Sequence, residues 1–273
     1  MTISDPTRTV SANDNSLRDA VGDLVEALGR YRLWWSLALE DIRQAYRQTV
    51  FGVIWAIMSY VIFAFAIIMA FTGGKPAPDF AGYIIVGLLV WNYISSIILE
   101  SSTVFIGAES FIKGIRLPLT LHVLRCVARI GVTTFYAAIG AAGLLVAFSV
   151  PVHLMGFAAI PAVLLLVFTA VAVQILFGTL CSYSRDFKYI IENLMRPVFF
   201  ITPIFWAAPP ASVQEIMEKY NPFTHYIQIV RAPIIYGTVP MGSWVITLVI
   251  TAVLWVAALL VLRKYRSQIV FWI

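Results

Sequence analysis

Long uncharged apolar runs alternate with short polar stretches along most of this chain, and the runs set its architecture. Five of them, Gly52–Phe71, Phe80–Leu99, Ile130–Val150, Phe157–Cys181 and Ser243–Leu262, contain no Asp, Glu, Lys or Arg. Each is about 20 residues or longer, so as a helix rising about 1.5 Å per residue it spans about 30 Å, the hydrocarbon thickness of a bilayer. A sixth segment, Lys188–Ala208, carries Glu192 and Arg196 in its first half, and its uncharged remainder is short and interrupted by Pro203. Lipid alone does not hold such a segment. It is expected inside the bundle or against a polar cavity, where a broken backbone finds partners. The predicted fold is an all-α polytopic membrane protein with six transmembrane helices.

Shorter patterns mark the connections. Trp35, Ala38, Leu39, Ile42, Ala45 and Tyr46 follow helical spacing, while Arg43 and Arg47 fall among the polar residues of the opposite face. This predicts an amphipathic helix lying along the membrane surface, with Trp35, Leu39, Ile42, Arg43, Tyr46 and Arg47 as interface residues. It serves either as a plain anchor or as a docking surface for a partner. Between the second and third runs lies Glu109-Ser110-Phe111-Ile112-Lys113-Gly114-Ile115-Arg116, followed by Pro118. It reads as a short surface helix whose apolar residues suit a protein contact, or as a simple turn. The segment Pro209–Gly242 reads as two short amphipathic helices broken at Asn221-Pro222. They lie on the outer surface or dip inward as a gate, with Tyr220, Asn221, Pro222, Phe223 and Tyr226 beside the break. Residues 1–30 form a polar N-terminal segment, mobile over its first part, and 31–273 the membrane domain.

Composition sharpens this picture. The 273 residues are 60% hydrophobic and 12% charged, where a soluble domain carries about 25% charged residues. Soluble, disordered and collagen-like proteins are excluded. All but three of the 19 Lys and Arg residues fall on the side of the two termini; Lys75, Lys219 and Arg231 fall on the other. By the positive-inside rule both termini are cytoplasmic. Met1–Ser16 has no apolar core, so it does not read as a signal peptide. The net charge of +5 does not point to nucleic acid, and no nucleic-acid partner is expected. Cys126 and Cys181, both near the cytoplasmic side, are expected as free thiols rather than a disulfide framework.

Catalytic chemistry is hard to find. Gly74-Lys75 is followed by Pro76, so there is no phosphate-binding loop. His122, His153 and His225 stand apart from one another and from other ligand types, so neither metal nor catalytic residues are expected. Ion-coupled carriers need ionisable groups inside the membrane, and only Glu192 and Arg196 qualify; at i, i+4 they are placed to pair with each other or to line an entrance. Aromatic residues make up 14% of the chain. Many occupy interface positions, Trp91 among them, but Phe199, Phe200, Phe205 and Trp206 cluster at the broken segment, and the first run adds Tyr60, Phe63 and Phe65. Aromatic faces stack on sugar rings and tolerate sliding, so an aromatic path of Tyr60, Phe63, Glu192, Arg196, Phe199, Phe200, Phe205 and Trp206 suits a moving glycan. Lipid-facing or core packing is the alternative for each residue singly.

Several stretches together carry a resemblance. They are Asp41-Ile-Arg-Gln-Ala-Tyr-Arg-Gln-Thr49 with Phe51-Gly-Val-Ile-Trp55; Ser184-Arg-Asp186 with Thr202-Pro-Ile-Phe-Trp206; Tyr220-Asn-Pro-Phe-Thr224 with Arg231 and Gly237; and Arg263-Lys-Tyr-Arg266 to Phe271-Trp-Ile273. In this order the chain resembles the membrane subunits of bacterial ABC-2 type exporters, above all those for O-antigen, capsule or teichoic acid. One position departs: no proline follows Trp55 in Ala56-Ile-Met-Ser-Tyr60. The resemblance implies a homodimeric permease of the inner membrane working with two copies of an ABC ATPase subunit, which binds ATP and Mg. It implies that Glu109–Arg116 and the Trp35–Tyr46 helix transmit the ATPase motion, and that a lipid-linked polysaccharide passes between the two permeases among membrane lipids. A drug- or lipid-exporting ABC-2 permease is the alternative within transport. A membrane transferase or protease lacks clustered catalytic groups, and a secondary carrier is disfavoured by the uncharged runs.

Overall fold

The computed structural model describes residues 17–74, 76–115, 117–207 and 212–273; Arg116 and the polar Met1–Ser16 lie outside them. The elements are α1 (Leu17–Gly29), α2 (Tyr31–Tyr46), α3 (Ile54–Thr72), α4 (Pro78–Ser101), α5 (Glu109–Gly114), α6 (Leu119–Ala147), α7 (Ala159–Tyr183), α8 (Asp186–Ile201), α9 (Val213–Tyr220), α10 (Pro222–Ile235) and α11 (Met241–Trp272). Among the described residues all regular structure is helical, and the chain is an all-α polytopic membrane protein.

Among the described residues five helices are long and apolar enough to cross a bilayer: α3, α4, α6, α7 with the turn before it, and α11. Two of them outrun their apolar stretches. α6 begins at Leu119 rather than Ile130, since arginine is a good helix former and a charge that ends an apolar run does not end the helix; its early Arg125 and Arg129 are paired with carboxylates. α11 continues through Arg263, Lys264 and Arg266 to Trp272. The sixth segment is built differently. α8 has 16 residues, about 24 Å of helix, and stops at Ile201, where Thr202 turns extended and Pro203 cannot continue the ladder.

α4 is the centre of the bundle. Its most apolar window is 72% buried within the chain, against 17% for α3, so α4 is enclosed while α3 presents an apolar face outward. α4 packs against α3, α6, α7, α8 and α10, and α7 pairs with α11. Hydroxyls tie three helices in this apolar setting: Thr251 Oγ1 lies 2.8 Å from both Thr169 Oγ1 and the Tyr226 hydroxyl, joining α11 to α7 and α10. Such bonds between membrane helices contribute about 0.6–2 kcal/mol each.

The described part of the segment before α11 does form two helices broken at Asn221-Pro222. Asn221 caps α10, its Oδ1 accepting from the Phe223 amide at 2.9 Å, and Pro222 sits in the first turn, where its missing N–H costs nothing. α10 is sunk among α4, α7 and α11, whereas α9 leaves Val213, Ile216 and Tyr220 exposed. At the other end Gly52, with φ of 55°, makes the left-handed turn from α2 into α3, and α3 then runs unbroken from Ile54.

Candidate functional site

α3, α4 and α8 enclose a side-open cleft of about 830 Å³. α3 contributes Ser59, Tyr60 and Phe63; α4 contributes Leu88, Trp91, Asn92, Ser95 and Leu99; α8 contributes Glu192, Met195, Arg196, Phe199 and Phe200. The directions of the three helices grade the lining. Ser59, Ser95, Glu192 and Arg196 lie toward the basic end of the bundle, and Phe63, Trp91, Phe199 and Phe200 toward the opposite end.

Six of the eight path residues proposed from sequence therefore meet in one cavity: Tyr60, Phe63, Glu192, Arg196, Phe199 and Phe200. Phe205 and Trp206 stand behind them. Phe205 is buried, with its ring centroid 5.3 Å from Phe199 and 4.7 Å from Phe71, and the Trp206 indole donates to the Phe200 carbonyl at 3.0 Å. Phe199 is the hub, since Phe63 and Trp91 also pack on it at 6.3 and 5.8 Å. Glu192 does not pair with Arg196. Its carboxylate reaches Lys188 at 3.9 Å, one turn earlier, and Arg196 is exposed with no ion pair among the described residues. The Tyr60 hydroxyl is already engaged, donating to the Ile85 carbonyl at 2.6 Å. Trp91, read from the sequence as an interface residue, is instead buried on the cleft wall, and Asn92, Ser59 and Ser95 complete the lining without having been singled out. Only their helical phase, aligned with the α8 residues they face, marks them.

The break after α8 is held by side chains from α4 and α10. The Pro203 carbonyl accepts from the Tyr83 hydroxyl at 2.9 Å and from Arg231 Nη1 at 3.0 Å. Tyr83 also lies 3.0 Å from the Trp206 carbonyl, and Asn221 Nδ2 donates to Thr202 Oγ1 at 2.9 Å. Arg231 is fully buried, its guanidinium 3.6 Å from the Tyr83 ring centroid. A Cβ at Gly87 would come within 3.2 Å of Arg231 Nη1 and 3.4 Å of the Ile204 carbonyl, so this glycine makes room for the joint. The freed backbone carbonyls are thus satisfied inside the protein, as the hydrocarbon interior requires. Of the residues placed at the outer break, Phe223 packs edge-on against Trp91 at 5.7 Å, Tyr226 is buried, and Tyr220 is exposed.

A second polar system occupies the basic end. Asp41 of α2 accepts Arg125 Nε at 2.7 Å and Arg125 Nη2 as well, a bidentate pair between two largely buried side chains. Arg129, 3.9 Å from Asp41, donates to Glu100 of α4 at 2.6 Å. These residues line a hollow of about 400 Å³ together with His122 and Cys126. Asp41 lies among polar residues of the α2 sequence, beside Glu40, Arg43 and Gln44. The docked face of α2 is instead centred on Ala38 and Ile42, flanked by Trp34 and Leu37, which turns Asp41 inward and leaves Trp35, Arg43 and Arg47 exposed and Leu39 and Tyr46 partly buried.

α5 hangs beside this network. Lys113 donates to Glu109 at 2.8 Å and, by that bond and its charge, holds the Glu109 carboxyl below the usual carboxylate range. Arg125 sits 5.2 Å from the Phe111 ring centroid, Ile112 packs on the core, and Ser110, Gly114 and Ile115 are exposed. The short helix therefore touches the same arginine that grips α2.

Residues 32–235 match the family described as ABC-2 type transporter. The chain is 25% identical over 194 residues to the O-antigen export system permease protein RfbA of Klebsiella pneumoniae, covering 69% of this chain and 74% of that protein.

Proposed function

The chain belongs to the ABC-2 type transporter family, and from that premise we propose that it is the permease subunit of an ATP-driven exporter of a lipid-linked polysaccharide, with O-antigen the first candidate. The observation that carries this reading is the graded, side-open cleft. Its aromatic half offers flat faces for sugar rings, and its polar half sets Ser59, Asn92, Ser95 and Glu192 against hydroxyls. Arg196, exposed and without an ionic partner among the described residues, suits the anionic link between lipid and glycan. The similarity to an O-antigen export permease supports this substrate class.

The cleft is half of a passage. Phe63 and Phe200 stand 51% and 66% exposed beside it, and a second copy would close it. On this reading the membrane is the bacterial inner membrane, and the positive-inside pattern supports a cytoplasmic basic end with both termini on that side. There α5 and α2 meet the partner ATPase, which binds ATP and Mg. Force entering at α5 passes through Phe111 to Arg125, from Arg125 to Asp41, and through Arg129 to Glu100 on α4, which lines the cleft. Hydrolysis belongs to the partner, and this chain supplies the path.

Single cysteines placed from 109 to 115 test the docking surface. The reading expects a crosslink to a co-purified ATPase from at least one of Ser110, Phe111 or Ile115. A complete absence of crosslinks over the whole loop, in a complex that retains the ATPase, would contradict it.

A further inference from the structure

α1 precedes the stretch matched to the family and contributes nothing to the cleft. It nevertheless carries a buried carboxylate, Asp23, only 8% exposed. This side chain lies across the start of α6. It accepts the Leu119 amide at 3.3 Å, the Thr120 amide at 2.9 Å and the Thr120 hydroxyl at 2.6 Å. The first turn of α6 needs it, because the residue in the capping position is Pro118, which has no side-chain cap to give. Unpaired first-turn amides favour an anionic acceptor. Here the acceptor comes from a helix far away in sequence. On the other side α1 meets α11: Arg266 Nη1 donates to the Asp19 carbonyl at 2.8 Å and lies 3.8 Å from Asp23 Oδ1.

The position matters because of what lies on either side. α5 joins α6 through a few residues only, and α5 also contacts α11. α11 is 32 residues long, and near its far end Ser243 lies 3.1 Å from His225 while Thr251 meets Tyr226, both of α10. We propose that Asp23 is the pin of a brace: through α1 it locks the entry of α6 to α11, so that motion received at α5 is delivered along α11 to the α9–α10 hairpin at the opposite face. Asp23 is a positioning residue, and the proposal rests on the exporter reading above.

The test uses the full permease with its ATPase in proteoliposomes, carrying Tyr220→Cys on α9, a position 75% exposed. The readouts are maleimide labelling at that site with and without ATP, ATP hydrolysis, and export per ATP. In the parent complex nucleotide changes the labelling rate. Asp23→Ala, which removes the cap of α6, is expected to remove that change and lower export per ATP, with assembly and hydrolysis retained. Asp23→Asn, which keeps an acceptor but not the charge, is expected to be intermediate. Arg266→Ala leaves the cap intact and removes the Arg266 bonds from α11 to α1; it is expected to weaken the labelling change too, and it decides the matter if Asp23→Ala does not accumulate. Unchanged nucleotide-dependent labelling in these variants overturns the brace, as does a proportional fall of hydrolysis and export together. A parent complex with no ATP-dependent export overturns the exporter reading instead.

Discussion

Phe200 is two-thirds exposed at the mouth of the cleft, so truncating it removes little packing. Exposed substitutions of this kind usually change stability by less than about 0.5 kcal/mol. On the proposed reading Phe200→Ala leaves the melting temperature unchanged and slows export by roughly 2- to 13-fold, taking an aromatic contact as worth about 0.5–1.5 kcal/mol; wild-type export would remove Phe200 from the path. Tyr60 gives the opposite expectation. Its hydroxyl serves the Ile85 carbonyl between α3 and α4, so Tyr60→Phe is expected to cost about 1 kcal/mol of stability while export per assembled complex stays unchanged, as thermal denaturation and transport on the same preparation would show. Residue chemistry was the least legible level in the sequence. Aromatic clustering pointed to residues of α3 and α8 that line one cleft, while of the two readings of Glu192 and Arg196 the mutual pair is not formed, because spacing on a helix cannot tell Lys188 from Arg196 when both lie one turn away.

Among the elements, the charged joint between α2, α4 and α6 carries the clearest consequence. Arg125 holds Asp41 through two hydrogen bonds, and hydrogen bonds to charged groups contribute about 1.5–3 kcal/mol. Asp41→Arg should therefore uncouple ATP hydrolysis from export, and the swap Asp41→Arg with Arg125→Asp should restore much of the coupling, measured as transport per ATP. Failure of the swap together with full activity of the single variant would show that the pair transmits nothing. The uncharged spans were legible because an unbroken apolar run has few ways to fold in lipid. The early start of α6 was not, because a charge that ends an apolar run does not end a helix; Arg125 and Arg129 are neutralised by Asp41 and Glu100 from two other helices, a pairing that only the tertiary structure reveals. The docked helix α1 was hidden for a similar reason: the face it buries is built on Ala20, Asp23 and Ala27, which make no strong apolar stripe.

At the scale of the whole molecule, the cleft is closed on the sides of α4 and α8 and open past Phe63 and Phe200; on the proposed reading a second subunit completes it. On the proposed reading the energy for transport enters from a partner ATPase through α5 and α2. The most direct measurement is export of a fluorescent lipid-linked glycan by purified permease in proteoliposomes, with and without the ATPase and with and without ATP. The account predicts transport only when permease, ATPase and ATP are all present; vectorial transport by the permease alone, without nucleotide, would contradict it.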